Sequence, residues 1–237
     1  YHIGSGQSSD SLAVGNREGV LAAQLDFARK NSNIILEFKT KSKNIAHLLK
    51  TDIPDNVFVS WSLNPQIFID HEEHGTASLD QRLSCAKSLS DKGVLVGFHF
   101  HPIVYYEGYE DDYKNIVNKV MSMFEPHQIA MISMGTLTFI KPAINKLRSA
   151  GLKSKVLQIP MVDAVGKSSY TKEIKAEIFS NVYNEFRAWH NELFFYLCME
   201  ESSIWESVFG DFYKSNVDFE TALFESVSSK MKPLEIA

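Results

Sequence analysis

Short apolar runs recur along this chain, and segments with helical periodicity separate them. The runs are nearly continuous in hydrophobic residues, as expected for parallel strands that are covered on both faces. Repeated strand–helix alternation predicts a parallel sheet, open or curled into a barrel, with functional residues at the carboxyl ends of its strands. The predicted strands are His2–Gly6, Ile34–Phe38, Val57–Leu63, Val94–His101, Ile129–Ser133, Val156–Ile159 and Leu193–Leu197.

The helix predictions rest on capping signals and apolar stripes. Ser78 and Gln81 form a capping-box pattern before an apolar face, and Gly93 follows the end of that face. The acidic run Glu110–Asp112 suits the start of a second helix, where negative charge stabilises the helix dipole. A longer helix is predicted from Thr171 to Trp189.

Composition narrows the class of protein. The 237 residues suffice for one large domain, and α/β barrels often have this size. No apolar run approaches the roughly 20 residues of a membrane span, and the start lacks the pattern of a signal peptide. The two cysteines, Cys85 and Cys198, form no disulfide framework, which favours a reducing cytoplasm. A net charge of -5 means that DNA binding would need a local basic patch.

Hydroxyl, amide or cationic side chains follow nearly every predicted strand. Parallel strands bring their carboxyl ends to one rim, so these groups would surround a single mouth. A lysine among serines and asparagines suits a ligand that carries a carboxylate and a ribose. The alternative is that Ser and Asn cap the following helices and that Lys41 is a solvated loop charge. The segments are Gly4–Asp10, Lys39–Lys41, Ser60–Pro65, Phe98–Pro102 and Ser133–Thr136.

Five motifs follow one another along the first half of the chain. They are SSD at Ser8–Asp10, FKTKSKNIAHLL at Phe38–Leu49, WSLNP at Trp61–Pro65, HGTASLDQRL at His74–Leu83 and HPIVYYEGY at His101–Tyr109. Their order and spacing resemble the spore photoproduct lyase family of radical S-adenosylmethionine (SAM) enzymes, from about Gly4 to Pro142. The resemblance implies an α/β fold, a partial (β/α)6 TIM-like barrel over residues 1–160, with a C-terminal helical extension over residues 161–237 packed on it.

The family resemblance also implies a [4Fe–4S] cluster, bound by three cysteines spaced C-x-x-x-C-x-x-C after the first barrel strand. No such triplet occurs here, because Cys85 and Cys198 lie far apart. We therefore expect the C-terminal part of a longer protein, with the first strand and the cluster ligands upstream and no activity by itself. The alternative is a family member that has lost its cluster. The implied partners are SAM and a reductant such as flavodoxin or ferredoxin. No association with a membrane is implied.

Residues near the start of the chain match SAM-binding positions of the family. Gly4, Ser5 and Gly6 lie where the family uses strand-edge backbone to hold the methionine amino group. Ser9 matches a position that contacts SAM. Lys41 matches a lysine that binds the SAM carboxylate, and an ammonium group in a partly desolvated mouth suits that role.

Three later residues complete the predicted SAM site, and two histidines leave open the alternative of a metal site. Ser62 and Asn64 match polar groups near the sugar or the methionine, and His101 takes the place of a small adenine-contacting residue. His99 and His101 also place two imidazoles on one face of a strand, as at metal sites of barrel hydrolases. A metal-dependent hydrolase is thus the alternative function, and a noncatalytic binding scaffold is the third.

The resemblance implies cleavage of SAM to a 5′-deoxyadenosyl radical, which abstracts a hydrogen atom from a substrate. In the family this hydrogen abstraction serves the repair of DNA lesions. Two departures bear on repair. Gln7 stands where the founding enzymes have a cysteine that returns a hydrogen atom. The segment Gln158–Tyr170, which matches a DNA-contacting hairpin, has Lys167 as its one basic residue. Phosphate neutralisation dominates DNA affinity, so we expect weak, salt-sensitive DNA binding. Cys198 is the one thiol near a predicted strand end, and a structural role is the simpler interpretation.

Overall fold

The computed structural model describes residues 1–6, 9–151, 154, 156, 159–164 and 167–231. Its strands are β1 His2–Ser5, β2 Ile35–Thr40, β3 Val57–Ser62, β4 Leu95–Ile103, β5 Ile129–Thr136, β6 Thr138–Ile140, β7 Val162–Ala164, β8 Lys167–Ser169 and β9 Phe195–Leu197. Six of them form one curled parallel sheet in the order β1-β2-β3-β4-β5-β9. The other three form a small antiparallel sheet in the order β6-β8-β7. The predicted α/β partial barrel is confirmed.

Helices join successive strands of the large sheet, which is why those strands run parallel. The helices of the described residues are α1 Val20–Lys30, α2 Ala46–Lys50, α3 Gln66–Glu72, α4 Leu79–Asp91, α5 Tyr109–Met123, α6 Lys141–Ser149, α7 Lys172–Glu185, and, after β9, α8 Ser202–Phe209 and α9 Asn216–Ser228. Within the described residues, no helix combines the length and the hydropathy that a membrane crossing needs.

Capping residues in the sequence correctly predicted where helices begin and end. Ser78 caps α4 by accepting a hydrogen bond from the Gln81 amide at 3.3 Å, and its own amide donates to the Gln81 side chain at 3.2 Å. Gly93 follows that helix with φ +91°, as a glycine beyond a helix end often does. The predicted long helix begins after its cap Thr171 and continues as α7 and a 3-10 turn to Trp189.

One strand prediction does not match. Residues 157 and 158 of the predicted strand Val156–Ile159 lie outside the described part of the chain. Its described ends, Val156 and Ile159, belong to a 3-10 turn and a bend, and the Ile159 amide donates to the Val156 carbonyl at 3.4 Å. Apolar residues alone did not distinguish a turn from a strand here, because a run of four residues carries no usable periodicity.

The C-terminal third supplies more than helices. β9 pairs in parallel with β5 and so completes one side of the large sheet. α9 packs against the concave, inner face of the large sheet near the amino ends of its strands. Leu223 and Val227 of α9 contact Phe58, Met131 and other apolar side chains of the strands there. The division at residue 160, including the expected lack of a first barrel strand, remains a prediction.

Strand alternation gives the inner face of the sheet three levels. Apolar side chains close it near the amino ends of the strands. Polar side chains, among them Glu37, Ser60 and His99, occupy the middle and are almost fully buried. At the carboxyl ends the inner face opens into a cavity.

Candidate functional site

A cavity of about 620 Å³ lies at the carboxyl ends of the parallel strands. Its walls include five of the predicted SAM-binding residues, which the fold brings together from four strand ends. These are Gly6, Ser9, Lys41, Ser62 and His101.

Three predicted residues do not line this cavity. Gly4 and Ser5 lie within β1, where the Ser5 hydroxyl accepts a hydrogen bond from the Ser11 hydroxyl at 3.1 Å. Asn64 is fully buried beside the cavity, and its amide is engaged by neighbouring residues. Gln7 and Ser8, next to Ser9, lie outside the described residues.

Asp10 anchors the loop that carries Ser9. One carboxylate oxygen accepts hydrogen bonds from the Thr40 hydroxyl at 2.6 Å and from the Leu12 amide at 2.9 Å. The other oxygen accepts from the Lys41 amide at 2.7 Å. Asp10 belongs to a family motif but was not predicted as a site residue, because its partners Thr40 and Lys41 lie 30 and 31 residues away along the chain.

Gly6 makes the turn from β1 into this loop with φ +93°. A Cβ atom there would lie 2.5 Å from the carbonyl oxygen of Lys39, so only glycine fits between the two segments. The close approach places the Ser9 loop directly against the end of β2.

A charged network, which we call the rim cluster, borders the cavity and consists of Lys41, Asn64, Glu73, Arg82 and Tyr113. One oxygen of Glu73 accepts from Lys41 Nζ at 2.7 Å and from Asn64 Nδ2 at 2.8 Å, and the other accepts from Arg82 at 2.6 Å. Tyr113 donates its hydroxyl to Asn64 Oδ1 at 3.0 Å. Burial would raise the pKa of Glu73, but Lys41 and Arg82 hold that pKa below its ordinary value.

Arg82 ties the rim cluster to the strand ends. Its side chain is fully buried, and it donates to the Ser62 carbonyl at 2.7 Å and to the Ala77 carbonyl at 2.8 Å. Asn64 also donates to the His101 carbonyl at 3.3 Å. Asn64 therefore positions the cavity wall through its neighbours, and the structure does not bring its side chain to the cavity surface.

A second network, the interior cluster, lies one level deeper and consists of His2, Glu37, Ser60 and His99. One oxygen of Glu37 accepts from the Ser60 hydroxyl and lies 2.6 Å from His99 Nε2, and the other lies 3.0 Å from His2 Nε2. Burial would raise the pKa of Glu37, but His99 and His2 hold that pKa well below its ordinary value. His99 Nδ1 is buried and has no hydrogen-bond partner among the described residues.

His101 connects the cavity to the sheet. Its Nε2 lies 2.8 Å from the Ser133 hydroxyl, and its ring lies against Gly135, where a Cβ atom would come within 3.1 Å of Nε2. Burial, the neighbouring His99 and Lys39 lower the pKa of His101 well below its ordinary value. The imidazole is therefore neutral near pH 7.

The two-histidine pattern does not form a metal site in this geometry. His99 is directed to Glu37 and Ser60, and His101 to Ser133. Across the described residues, no group of three or more His, Cys, Asp or Glu side chains is arranged to hold a metal ion. The hydrolase alternative is therefore not favoured.

Lys39 and Cys198 also line the cavity, although neither was predicted as a SAM ligand. Lys39 lies on β2 between Glu37 and Lys41, and strand alternation puts all three side chains on one face. This alternation could have indicated from the sequence that Lys39 lies on the same face as Lys41. Burial raises the pKa of the Cys198 thiol, so it is protonated near pH 7.

Comparison with known proteins places the chain in a family. A family model described as spore photoproduct lyase matches residues 3–160. The chain belongs to the spore photoproduct lyase family. The spore photoproduct lyase of Clostridium acetobutylicum is 24% identical over 194 residues, which are 78% of this chain and 56% of that relative. The chain thus spans little more than half of the relative's length.

Solved structures show the same fold for this spore photoproduct lyase family member. A spore photoproduct lyase complexed with dinucleoside spore photoproduct superposes with a TM-score of 0.70 and 21% identity, covering 83% of this chain and 61% of that one. A mutant solved with bound AdoMet and dinucleoside spore photoproduct gives a TM-score of 0.69 and 20% identity. At these identities the likeness establishes the shared fold.

The segment Gln158–Tyr170, for which the sequence predicted the position of a DNA-contacting hairpin, contains strands β7 and β8. Its residues 158, 165 and 166 lie outside the described part of the chain. Lys167 is exposed on β8, and Lys141, at the start of α6, pairs with Asp163 on β7. The hairpin therefore presents little uncompensated positive charge among the residues that the structure describes.

Proposed function

We propose that this chain forms the SAM-binding half-barrel of a radical SAM enzyme of the spore photoproduct lyase type. The observation that carries the proposal is the convergence of Gly6, Ser9, Lys41, Ser62 and His101 on one cavity at the strand ends. These residues come from four separate strand ends, and helix capping alone would not require that they share a cavity.

The cavity suits SAM in size and chemistry. Its volume of about 620 Å³ is within the usual range of small-molecule sites, roughly 300–1,000 Å³. Lys41 offers an ammonium group for a carboxylate, and the neutral His101 offers a ring nitrogen for a nucleobase. Apolar surface for the adenine comes from Pro102, Leu137 and Phe139.

Bound SAM supplies a 5′-deoxyadenosyl radical when it is reductively cleaved. The residues of this chain hold the cofactor: Lys41 binds the carboxylate, the rim cluster keeps Lys41 in place, and the Ser9 loop covers one side. They do not fit a [4Fe–4S] cluster, because the two cysteines are Cys85 on α4 and Cys198 at the cavity. The three thiolates implied by the family resemblance would have to lie upstream.

We propose a dinucleoside lesion of the spore photoproduct kind as the substrate, with DNA as its source and flavodoxin or ferredoxin as the reductant. The related structures with dinucleoside spore photoproduct support the substrate class. The sparse positive charge around Lys167 supports weak DNA binding. Cys85 and Cys198 are both free thiols, which supports a cytoplasmic setting.

The proposal is tested by titrating the chain with SAM in a calorimeter. The wild-type chain should bind SAM, and Lys41→Met should weaken binding by about 1.5–3 kcal/mol, the range for hydrogen bonds to charged groups. The matched control is Lys43→Met, which removes the same charge from an exposed position two residues further along. Tight stoichiometric zinc without SAM binding would restore the hydrolase, and binding of neither would favour a scaffold.

A second measurement separates SAM binding from SAM cleavage. Supplied anaerobically with iron, sulfide and a reductant, the isolated chain should neither assemble a cluster nor cleave SAM, because it lacks the three-cysteine loop. The same chain extended by such a loop should do both. Stoichiometric iron and sulfide on the isolated chain would contradict this assignment of the cluster ligands.

A further inference from the structure

The cavity contains a second lysine that the proposed SAM site does not use. Lys39 is half-buried at the carboxyl end of β2, and its side chain faces the cavity. Its ammonium group makes no hydrogen bond or ion pair within 4 Å to any residue that the structure describes. Burial lowers its pKa, and the charge of Glu37 opposes that effect only at longer range.

The carboxylates around Lys39 are all bound to other groups. Asp10 accepts from Thr40 and from backbone amides, and Glu37 belongs to the interior cluster. Glu73 is bound by the rim cluster. Glu200, just beyond β9, binds Lys175 Nζ at 2.8 Å. The protein therefore provides no internal counter-charge for Lys39 within its described residues.

Lys41 shows the contrasting arrangement two residues away. Its ammonium group lies 2.7 Å from Glu73, so its charge is already compensated inside the protein. Removing a cation from water is costly unless an anion accompanies it, and an anion in the cavity can reach Lys39, because Lys39 lines the cavity wall. An incoming oxyanion would therefore find at Lys39 an ammonium group that the described residues leave without a counter-charge, in addition to Lys41.

We infer that Lys39 forms an oxyanion subsite of the cavity, separate from Lys41, that takes a carboxylate or phosphate oxygen of a bound ligand. The inference rests on the proposed function for the identity of that ligand. The SAM carboxylate and the phosphate of a nucleotide substrate offer the same chemistry. Thr136 and Thr138 hydroxyls line the same cavity but already contact Glu200 and Ser169, so the subsite depends on the lysine.

The test compares the wild-type chain with Lys39→Met, Lys39→Arg and the exposed control Lys43→Met. The probes are SAM, decarboxylated SAM, the dinucleotide thymidylyl-thymidine in the presence of SAM, and inorganic pyrophosphate. We expect Lys39→Met to lose about 10- to 100-fold in affinity for pyrophosphate and for one of the two anionic ligands. Lys39→Arg should retain most of the affinity, and Lys43→Met all of it.

The probes separate the two sources of the oxyanion. Loss of SAM affinity with unchanged affinity for decarboxylated SAM identifies the carboxylate. Loss of dinucleotide affinity with unchanged SAM affinity identifies the phosphate. Lys39→Met should also unfold no more easily than the wild type in urea, because it removes a half-buried charge that has no partner among the described residues.

Two outcomes overturn the inference: Lys39→Met binds every probe as tightly as the wild type, or the wild-type chain binds none of them. The proposed function fails in a different way. A wild-type chain that binds pyrophosphate through Lys39 but does not bind SAM would overturn the radical SAM assignment and leave the subsite standing.

Discussion

The rim cluster and the interior cluster both bury a carboxylate, and they compensate it in different ways. Glu73 in the rim cluster meets two permanent cations, Lys41 and Arg82. Glu37 in the interior cluster meets two imidazoles and a hydroxyl. Lys41 and Arg82 hold the pKa of Glu73 below its ordinary value, whereas the Glu37 carboxylate lies against His99, an imidazole whose own pKa burial lowers. The rim cluster thus pairs its carboxylate with an ammonium and a guanidinium group, and the interior cluster pairs its carboxylate with imidazoles.

The largest effect should come from removing one cation of the rim cluster. Arg82→Met leaves the buried Glu73 carboxylate with Lys41 as its one remaining cation in the rim cluster and removes the donors to the Ser62 and Ala77 carbonyls. We expect a loss of about 3–5 kcal/mol in the free energy of unfolding, measured in urea, because half of a buried ion pair is left behind.

Arg29→Met is the control for that substitution. Arg29 forms an exposed pair with Asp26, so its loss should cost less than about 1 kcal/mol. A double variant, Arg82→Met with Glu73→Gln, should recover part of the stability, because no buried carboxylate is left without its guanidinium and the partly exposed Lys41 can be solvated by water. Equal losses for Arg82→Met and Arg29→Met would show that the rim cluster does not stabilise the fold.

An intermediate effect should come from acid acting on the inner face. The pKa values of His99 and His101 are lowered in the folded chain, so below about pH 6.5 the unfolded chain binds protons that the folded chain does not. The free energy of unfolding should therefore fall as the pH decreases below that value, by up to about 1.4 kcal/mol per pH unit for each proton. The carboxylates add a further loss at lower pH, because the pKa values of Glu37 and Glu73 are also lowered.

His101→Gln isolates one part of this dependence. Urea unfolding between pH 7.5 and pH 5 should show a shallower pH dependence for the variant than for the wild type, by the contribution of one proton. Parallel curves for the two proteins would mean that His101 is protonated equally in the folded and unfolded chains, and would contradict this prediction.

The smallest effect is expected at Cys198, which lines the cavity but belongs to neither cluster. Cys198→Ala should leave the affinity for SAM unchanged and lower the free energy of unfolding by less than about 1 kcal/mol, because it removes one partly buried sulfur atom. Calorimetry and urea unfolding measure the two quantities. A clear loss of SAM affinity would contradict this prediction and place the Cys198 thiol in the SAM-binding site. The binding site would then not be limited to Lys41 and the other predicted SAM-binding residues.

Much of the fold and part of the site could be predicted from the sequence, because both follow local rules. Alternating apolar strands and capped helices specify the parallel sheet, as the capping box at Ser78 and Gln81 illustrates. Once the sheet is parallel, residues that follow successive strands must meet at one rim. That rule is sufficient to bring Ser9, Lys41 and His101 together, and the family motifs sharpened the choice of residues.

Only the tertiary structure decided how the charges are paired. Glu37 and His99 are 62 positions apart, and Lys41 and Glu73 are 32 apart, so no local period links them. Lys39 and Lys41 look equivalent in the sequence, yet Lys41 has a carboxylate partner, whereas Lys39 faces the cavity and has none among the described residues. Charge compensation depends on distance and desolvation in three dimensions, and these arise only when separate strands and loops pack together.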